Sequence, residues 1–370
     1  MLSSTPNIYW LLVGPRDVAS SRIHGYRIHE YLRRQGWTSE LIVTPLHWLE
    51  DTPLAPDEIK KSRVFRNGDV VVLQKLCGPK TVSVLQALRD ENVSTVFIDS
   101  DYPLKLSEAK LATVTVCPSE SLAEGYRQEG IANVMVIPDT YEAISPPVIR
   151  ERGGRKLRCV WFGEMDPIKA IEVRSLRKLL AEHLPDIELL VISNHSADVQ
   201  WETEKSWDVI KKCDVAVITG SDYFWMRAKS ANRVTQAMAL GLPVVAYPLP
   251  SYQAVIHHGR NGMLCRSNEE WICALSTMRS ADFRERIART GYRYARRYFS
   301  LERVGEQWTE MFRRLGAGRS GPDSFILASL SRLRLRHLRV RACRGMAATF
   351  KPMLRLHRSY KVLQWKEWIF

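Results

Sequence analysis

The sequence has no apolar run approaching the roughly 18 to 20 residues that a membrane-spanning helix needs. Met1 to Asn7 have neither the basic start nor the apolar core of a secretion signal. A protein made and kept in the cytosol is expected. The seven cysteines, Cys77, Cys117, Cys159, Cys213, Cys265, Cys273 and Cys343, contain no Cys-x-x-Cys pair, which argues against a disulfide framework and a structural zinc site. Internal repeats and low-complexity linkers are missing too. Negative charge is in short supply: 40 Asp and Glu face 54 Lys and Arg, a net +14 over 370 residues. A surplus of that sign favours an anionic partner, whether nucleic acid, a membrane surface or a phosphorylated substrate, without choosing among them.

What the chain has is the length of two domains and 45% apolar residues, arranged as short β-branched runs alternating with stretches of helical spacing. Ile8 to Val13 reads as a buried strand, followed by a loop, Gly14 to Ser21, and a helix with Ile28, Tyr31 and Leu32 on one face, ended by Gly36. Leu41 to Thr44, Asp69 to Gln74, Thr95 to Asp99, Ala112 to Cys117 and Asn133 to Ile137 read as further strands. Between them fall a helix carrying Val82, Leu85 and Leu88 and another capped by Ser119 or Ser121, with Glu124 completing a capping box with Ser121. At Ser145 to Lys156, prolines, glycines and clustered charges replace the pattern and mark an interdomain linker. The alternation restarts with strand Arg158 to Phe162, a helix from Ala170 to His183, and strands Ile187 to Ser193 and Asp214 to Ile218. A helix from Ser230 to Leu240, stopped by Gly241 and Pro243, leads into strand Val244 to Tyr247, and helices from about Glu269 to Leu315 follow. Strand and helix repeated in this order imply parallel sheets covered on both faces, an α/β fold class.

In an open parallel sheet, ligands bind beyond the carboxyl ends of the strands. Two loops of the second half meet that rule: Gly163 to Lys169 after one strand, and Thr219 to Lys229 after another, the latter ending at Ser230 as the N-cap of the next helix. A helix N-terminus there favours an anion. Lys169 and Lys229 would add charge-assisted bonds of roughly 1.5 to 3 kcal/mol each, which suits a diphosphate. Both lysines read equally well as ordinary surface residues. Trp201, Trp207, Tyr223, Phe224 and Trp225 crowd the same rim, where a nucleobase needs a flat apolar partner. Trp225 is singled out because its loop ends at Lys229.

The segment Lys229-Ser230-Ala231-Asn232-Arg233-Val234-Thr235-Gln236-Ala237-Met238-Ala239-Leu240-Gly241-Leu242-Pro243-Val244-Val245-Ala246 resembles the donor-binding segment of the family 4 glycosyltransferases of the GT-B fold. Asn261-Gly262-Met263-Leu264 is similar to the Asn-Gly-Leu-Leu turn that follows in those enzymes. The resemblance covers most of the chain to about residue 315. It implies two Rossmann-like domains whose parallel sheets face each other across a cleft: an acceptor-side domain over 1–148 and a nucleotide-sugar-binding domain over 155–315, whose last helices pack back on the first. It also implies transfer of a sugar from a nucleotide-diphosphate donor to a glycan or lipid-linked acceptor, with retention of configuration, as in polysaccharide biosynthesis. The nucleotide sugar is a substrate, and neither cofactor nor metal is implied.

In this resemblance Gly163 to Lys169 takes the place of a Gly-Arg-x-x-x-x-Lys phosphate clamp, with Glu164 at the arginine and Lys169 retained. Of the two glutamates that the family places eight apart, the second falls on Gln236, which can still bond a ribose hydroxyl. The first falls on Ala228, which cannot replace a carboxylate. The donor-binding residues implied are Gly163, Lys169, Trp225, Lys229, Ser230, Asn232, Arg233 and Gln236.

In the first half, Ser20 to Gly25 stands where related enzymes carry a glycine-rich loop facing the donor phosphates. Arg22 is read there as a phosphate contact or an exposed arginine, and His24 as a catalytic candidate or a packing histidine. Asp99-Ser100-Asp101 is a literal Asp-x-Asp after a strand. In GT-A enzymes that motif holds a divalent metal, and two such carboxylates are sensible ligands for a hard cation. The second α/β domain favours GT-B, which leaves Asp99 and Asp101 as cleft-facing acceptor contacts or turn formers. Arg22, His24, Asp99 and Asp101 are the candidates for catalysis, and no nucleophile or general base is evident.

The tail over 322–370 is a separate unit. Residues 323 to 370 hold 11 Lys and Arg against Asp323 and Glu367, or +9, leaving +5 to the first 322 residues. Leu327, Leu330 and Leu338 fall near one helical face with Arg332, Arg336 and Arg339 opposite, but Arg334 and Arg341 intrude on the apolar side and the alternation Arg332-Leu333-Arg334-Leu335-Arg336 also fits a strand. Trp365, Trp368, Ile369 and Phe370 give the end an interfacial character. An anionic membrane surface is the partner expected for this tail, against a solvated tail; nucleic acid is not expected, since no reader module accompanies the charge. Two alternatives to the enzyme stand. One is a GT-B-like protein that binds a glycan or nucleotide without turnover, and the other a GT-B sugar-nucleotide epimerase.

Overall fold

The computed structural model describes residues 5–57, 59, 65–149 and 153–317. The tail expected over 322–370 lies outside the described residues. The body contains two six-stranded parallel sheets. The first comprises β1 (Ile8–Leu12), β2 (Ser39–Val43), β3 (Val70–Gln74), β4 (Ser94–Ile98), β5 (Val114–Cys117) and β6 (Val134–Val136), in the order β2-β1-β3-β4-β5-β6. The second comprises β7 (Leu157–Phe162), β8 (Ile187–Ser193), β9 (Val199–Gln200), β10 (Val215–Ile218), β11 (Val244–Ala246) and β12 (Met263–Leu264), in the order β12-β11-β10-β7-β8-β9.

The central strands are continuous apolar runs because both of their faces are covered. Successive side chains alternate between two cores. Leu11, Val71, Leu73 and Phe97 face one side of the first sheet, while Trp10, Leu12, Val70, Val72 and Val96 face the other. In the second sheet Val160, Phe162, Ala216 and Ile218 alternate in the same way with Cys159, Trp161, Val215 and Val217. The sequence places these strands within a residue or two of their ends.

Several local expectations are corrected. The first loop is shorter than Gly14 to Ser21, because a helical turn already begins at Ala19 and passes through a π-helical turn, Arg22–Tyr26, into the helix Arg27–Arg34. Gly25 permits this: a Cβ there would lie 2.4 Å from Leu12 Cδ2, so the turn rests directly on β1. The helix Pro79–Asp90 buries Val84 with Leu85 and Leu88, and Val82 is only half-buried. Ser119, not Ser121, caps the helix Glu120–Gln128 by accepting from Leu122 N, and Glu124 accepts from Gln128 instead of closing a capping box.

The start of the proline- and glycine-rich connection packs against the second sheet's helices. Ser145 N donates to Ala239 O at 2.9 Å, and a Cβ on Gly241 (φ +73°) would meet Pro147 Cα at 2.6 Å. The helix Ala281–Phe299 lies on the helix Asn232–Ala239, with Gly291 against Met238. Ser300 then caps the helix Leu301–Gly316, which returns to the first sheet and buries Trp308, Met311 and Phe312 with Trp10 and Trp37. No helix among the described residues is long and apolar enough to cross a membrane.

Candidate functional site

The two strand orders decide where a ligand can sit. β7 connects outward to β8 on one side, and β10 to β11 on the other, so the loops leaving the adjacent pair β7 and β10 diverge and open a crevice. β1 and β3 form the corresponding switch point of the first sheet. The loops leaving these four strand ends carry most of the residues singled out in the sequence.

Gly163 begins the loop after β7 at φ +141°, and a Cβ on it would come 3.2 Å from Arg233 Cδ. The glycine therefore lets the Arg233 side chain lie along the loop. The Arg233 guanidinium sits 5.5 Å from the Trp161 ring centre, and one of its terminal nitrogens, Nη2, donates to Tyr252 OH at 3.3 Å. Its other terminal nitrogen, Nη1, is buried with no partner among the described residues, and so is Nδ2 of neighbouring Asn232. Buried polar hydrogens are normally paired, since leaving one unmade costs about 1–3 kcal/mol. Here two stand at the start of the helix Asn232–Ala239, where the backbone also favours negative charge.

Lys169 closes the same side. Asp166 caps the helix Pro167–His183 by accepting from Lys169 N at 2.9 Å, while Lys169 Nζ donates to Glu164 O and pairs with Asp166, each at 2.8 Å. Burial and then the charge of Arg233 hold the Lys169 ammonium below its usual pKa. Glu164, at the place of the clamp arginine, is exposed.

Lys229 reaches across to the first half. Its Nζ donates to Asp101 Oδ1, and Lys75, just after β3, donates to Asp101 Oδ2 at 2.5 Å. Burial alone would raise the Asp101 pKa, but the two lysines outweigh it and hold the carboxyl far below the usual range. Burial pulls the Lys229 ammonium down, and the Asp101 charge more than reverses this, so its pKa lies above normal.

Asp99 does not face the cleft. It is fully buried, accepts from Tyr126 OH at 2.6 Å and from Lys105 Nζ at 3.2 Å, and receives Ser100 N at 2.9 Å. It is the anchor of the turn, and burial followed by the Asp99 charge pushes the Tyr126 phenol well above its ordinary pKa. The two aspartates thus serve separate lysines.

Three further expectations change. Ser230 is not the N-cap, a position held by Ala231; its Oγ donates to Asp139 Oδ2 at 2.5 Å. The other oxygen of Asp139 lies 3.1 Å from His24 Nε2, so buried His24 and Asp139 and half-buried Ser230 join the two halves. Arg22 is not an open phosphate contact. It pairs with Glu142 and donates to Arg16 O at 2.8 Å and Asp17 O at 3.1 Å. Gln236 is 1% exposed, and both ends of its amide are taken by main chain: Oε1 accepts from Glu142 N at 2.6 Å, and Nε2 donates to Ala143 O at 2.8 Å.

Ala228 ends a short 3-10 helix, Phe224–Ala228, and is buried in the core of the first half, with its carbonyl accepting from Ser119 Oγ at 2.9 Å. Trp225 of the same turn stacks on Tyr223 at 4.9 Å and packs edge-on against Phe224.

Lys75, Lys105, Asp139 and Glu142 were missed in the sequence. All four follow the ends of first-half strands or the helix start beyond them, and position relative to a strand end was the one signal available.

The stretch 133–280 matches the family described as Glycosyl transferases group 1. No curated protein matches the sequence significantly. Among solved structures, Anabaena Alr3699/HepE in complex with UDP is similar with a TM-score of 0.63 at 13% identity, over 82% of this chain and 99% of that one. Sucrose-phosphate synthase from Thermosynechococcus elongatus is similar with a TM-score of 0.61 at 14% identity, over 84% of this chain and 100% of that one. TarM of S. aureus, in complex with fondaparinux, alpha-GlcNAc-glycerol and UDP, gives a TM-score of 0.56 at 11% identity over 70% and 58%. These likenesses establish the GT-B fold.

Proposed function

We propose that the protein is a glycosyltransferase that moves a sugar from a nucleotide-diphosphate donor to a glycan or lipid-linked acceptor. One observation carries the reading. At the β7–β10 crevice, buried Arg233 Nη1 and Asn232 Nδ2 lack partners beside the Lys169 ammonium and a helix N-terminus. An incoming diphosphate supplies the oxygens that all of them need. The match to group 1 glycosyl transferases covers this same region, and the similar HepE structure was solved with UDP.

Breaking the bond from the sugar to the diphosphate leaves negative charge on the departing phosphate. Arg233, Asn232 and Lys169 are placed to take it, and Lys229 joins them when it leaves Asp101. The Asp101 and Asp166 carboxylates are held by lysines, and the reading uses neither as a nucleophile. Transfer with retention, in which the leaving phosphate oxygen accepts the acceptor's proton, requires none. TarM, whose structure contains a glycan, supports a glycan acceptor.

Isothermal titration with UDP, GDP and ADP, followed by donor hydrolysis with the corresponding sugars, tests the reading. Absence of both binding and turnover across the panel overturns it.

A second reading, a GT-B protein that binds a nucleotide or glycan without turnover, is favoured by the occupied amide of Gln236 and the burial of Ala228. Binding without hydrolysis or transfer identifies it.

A further inference from the structure

The helix Ala281–Phe299 carries a feature that the donor site does not use. Its buried residues are Arg284, Ile287, Ala288, Gly291 and Ala295, which face the helix Asn232–Ala239 and its surroundings. Between 286 and 297 every exposed position is an arginine: Arg286, Arg289, Arg293, Arg296 and Arg297. At 100° per residue these five fall within an arc of about 100°, opposite the buried face, and they span about 16 Å of helix.

Their charge is not neutralised locally. Arg289 pairs with Glu285, but Arg286, Arg293, Arg296 and Arg297 have no carboxylate partner among the described residues. Aromatic rings support them from the sides: Arg286 lies over Phe283 at 4.9 Å, Arg296 over Tyr292 at 5.6 Å and Arg297 over Tyr298 at 5.3 Å. The helix dipole accounts for basic residues in the last turn, Arg296 and Arg297, and for none of the three before them.

We propose that this face is a docking surface for an anionic lipid bilayer. A uniform row of guanidinium groups on a convex helix, with half-buried tyrosines at its margin, matches a plane of anionic headgroups. It does not match a nucleic-acid groove, since no exposed Asn, Gln or Ser stands in the row to reach a base edge. The sequence beyond residue 322 adds +9 and ends in Trp365, Trp368, Ile369 and Phe370, a composition suited to the same surface. The inference is independent of the donor reading.

The test is sedimentation of the full chain with phosphatidylcholine vesicles containing no, or about one third, phosphatidylglycerol. Binding is expected only to the anionic vesicles and should be released by about 0.5 M salt. Each basic residue at such a surface contributes about fivefold in partitioning. The variant with all five arginines changed to Gln should bind at least tenfold more weakly, and the five-Lys variant should retain binding.

Equal binding by the Gln variant and the parent overturns the proposal. So does equal binding to neutral vesicles, or capture by duplex DNA with none by vesicles. UDP affinity, read in the same preparations, is expected to be unchanged by the Gln substitutions. Its absence in the parent would sink the donor reading while leaving the vesicle result to decide this one.

Discussion

Lys229 of the loop after β10 donates its ammonium hydrogen to Asp101 of the loop after β4, and this ion pair crosses from one half of the protein to the other. A lysine proposed to join the donor phosphate contacts is therefore held by a competitor. Asp101→Asn should tighten UDP binding by roughly threefold to tenfold, because a neutral amide releases the lysine at a cost of about 1 kcal/mol. Lys229→Ala should weaken it. Titration calorimetry measures both, and weaker binding by the Asn variant would mean that the pair assembles the site.

Arg233 and Lys169 are expected to act on the diphosphate more than on the nucleoside. Arg233→Ala or Lys169→Ala should lower UDP affinity by about tenfold or more, which is the loss of one charge-assisted bond of roughly 1.5–3 kcal/mol. Uridine affinity should change little. Equal losses for UDP and uridine would place the phosphates elsewhere.

The pKa of Lys169 gives a sign to the pH dependence. Its free-state value is depressed by burial and Arg233, and a bound diphosphate raises it. Between those two values the complex holds a proton that the free protein has lost. UDP binding on the alkaline side should therefore weaken as pH rises through the depressed value and be accompanied by proton uptake. Calorimetry in two buffers of different ionisation enthalpy reads the uptake, which Lys169→Ala should remove.

Asp101 provides a second pH effect, on stability. Its folded pKa lies below the unfolded value, so its pairing with Lys75 and Lys229 stabilises the fold above about pH 4 and is lost as pH falls below that. Urea unfolding should show the parent more stable than Asp101→Asn by about 2 kcal/mol at pH 7, with the gap closing toward pH 3. A gap that persists at low pH would exclude the charge as its origin.

Restoring the family's first carboxylate should fail. Ala228 is fully buried in the core of the first half, so Ala228→Glu places an unpaired charge there, at a cost on the order of 3–5 kcal/mol. A marked fall in melting temperature is expected with no gain in transfer. A stable, more active variant would show that the turn Phe224–Ala228 can swing into the crevice.

The sequence was sufficient for all but the two shortest edge strands of the sheets, β9 and β12. Runs such as Val70–Gln74 and Ile187–Ser193 are apolar on both faces, and that pattern is stable only in a covered parallel sheet. The same strand ends pointed to the loops Gly163 to Lys169 and Thr219 to Lys229, while Arg233 entered only through the resemblance to the family 4 glycosyltransferases. Local rules also stopped the helix before Gly241, whose φ of +73° suits glycine.

Which polar groups remain open to a ligand was decided only by tertiary structure. Gln236, Arg22 and Ser230 are spent on Ala143, Glu142 and Asp139, partners that are dozens of residues away in the chain. Asp99 and Asp101, two positions apart, part company because Tyr126 and Lys105 bury one while Lys75 and Lys229 hold the other at the cleft. Local sequence sets the direction in which a side chain leaves the backbone, but hydrogen-bond capacity is filled by whatever the fold brings within about 3 Å. The sequence therefore points to the loops of the proposed site, and only the tertiary packing leaves Arg233 Nη1 and Asn232 Nδ2 without partners among the described residues.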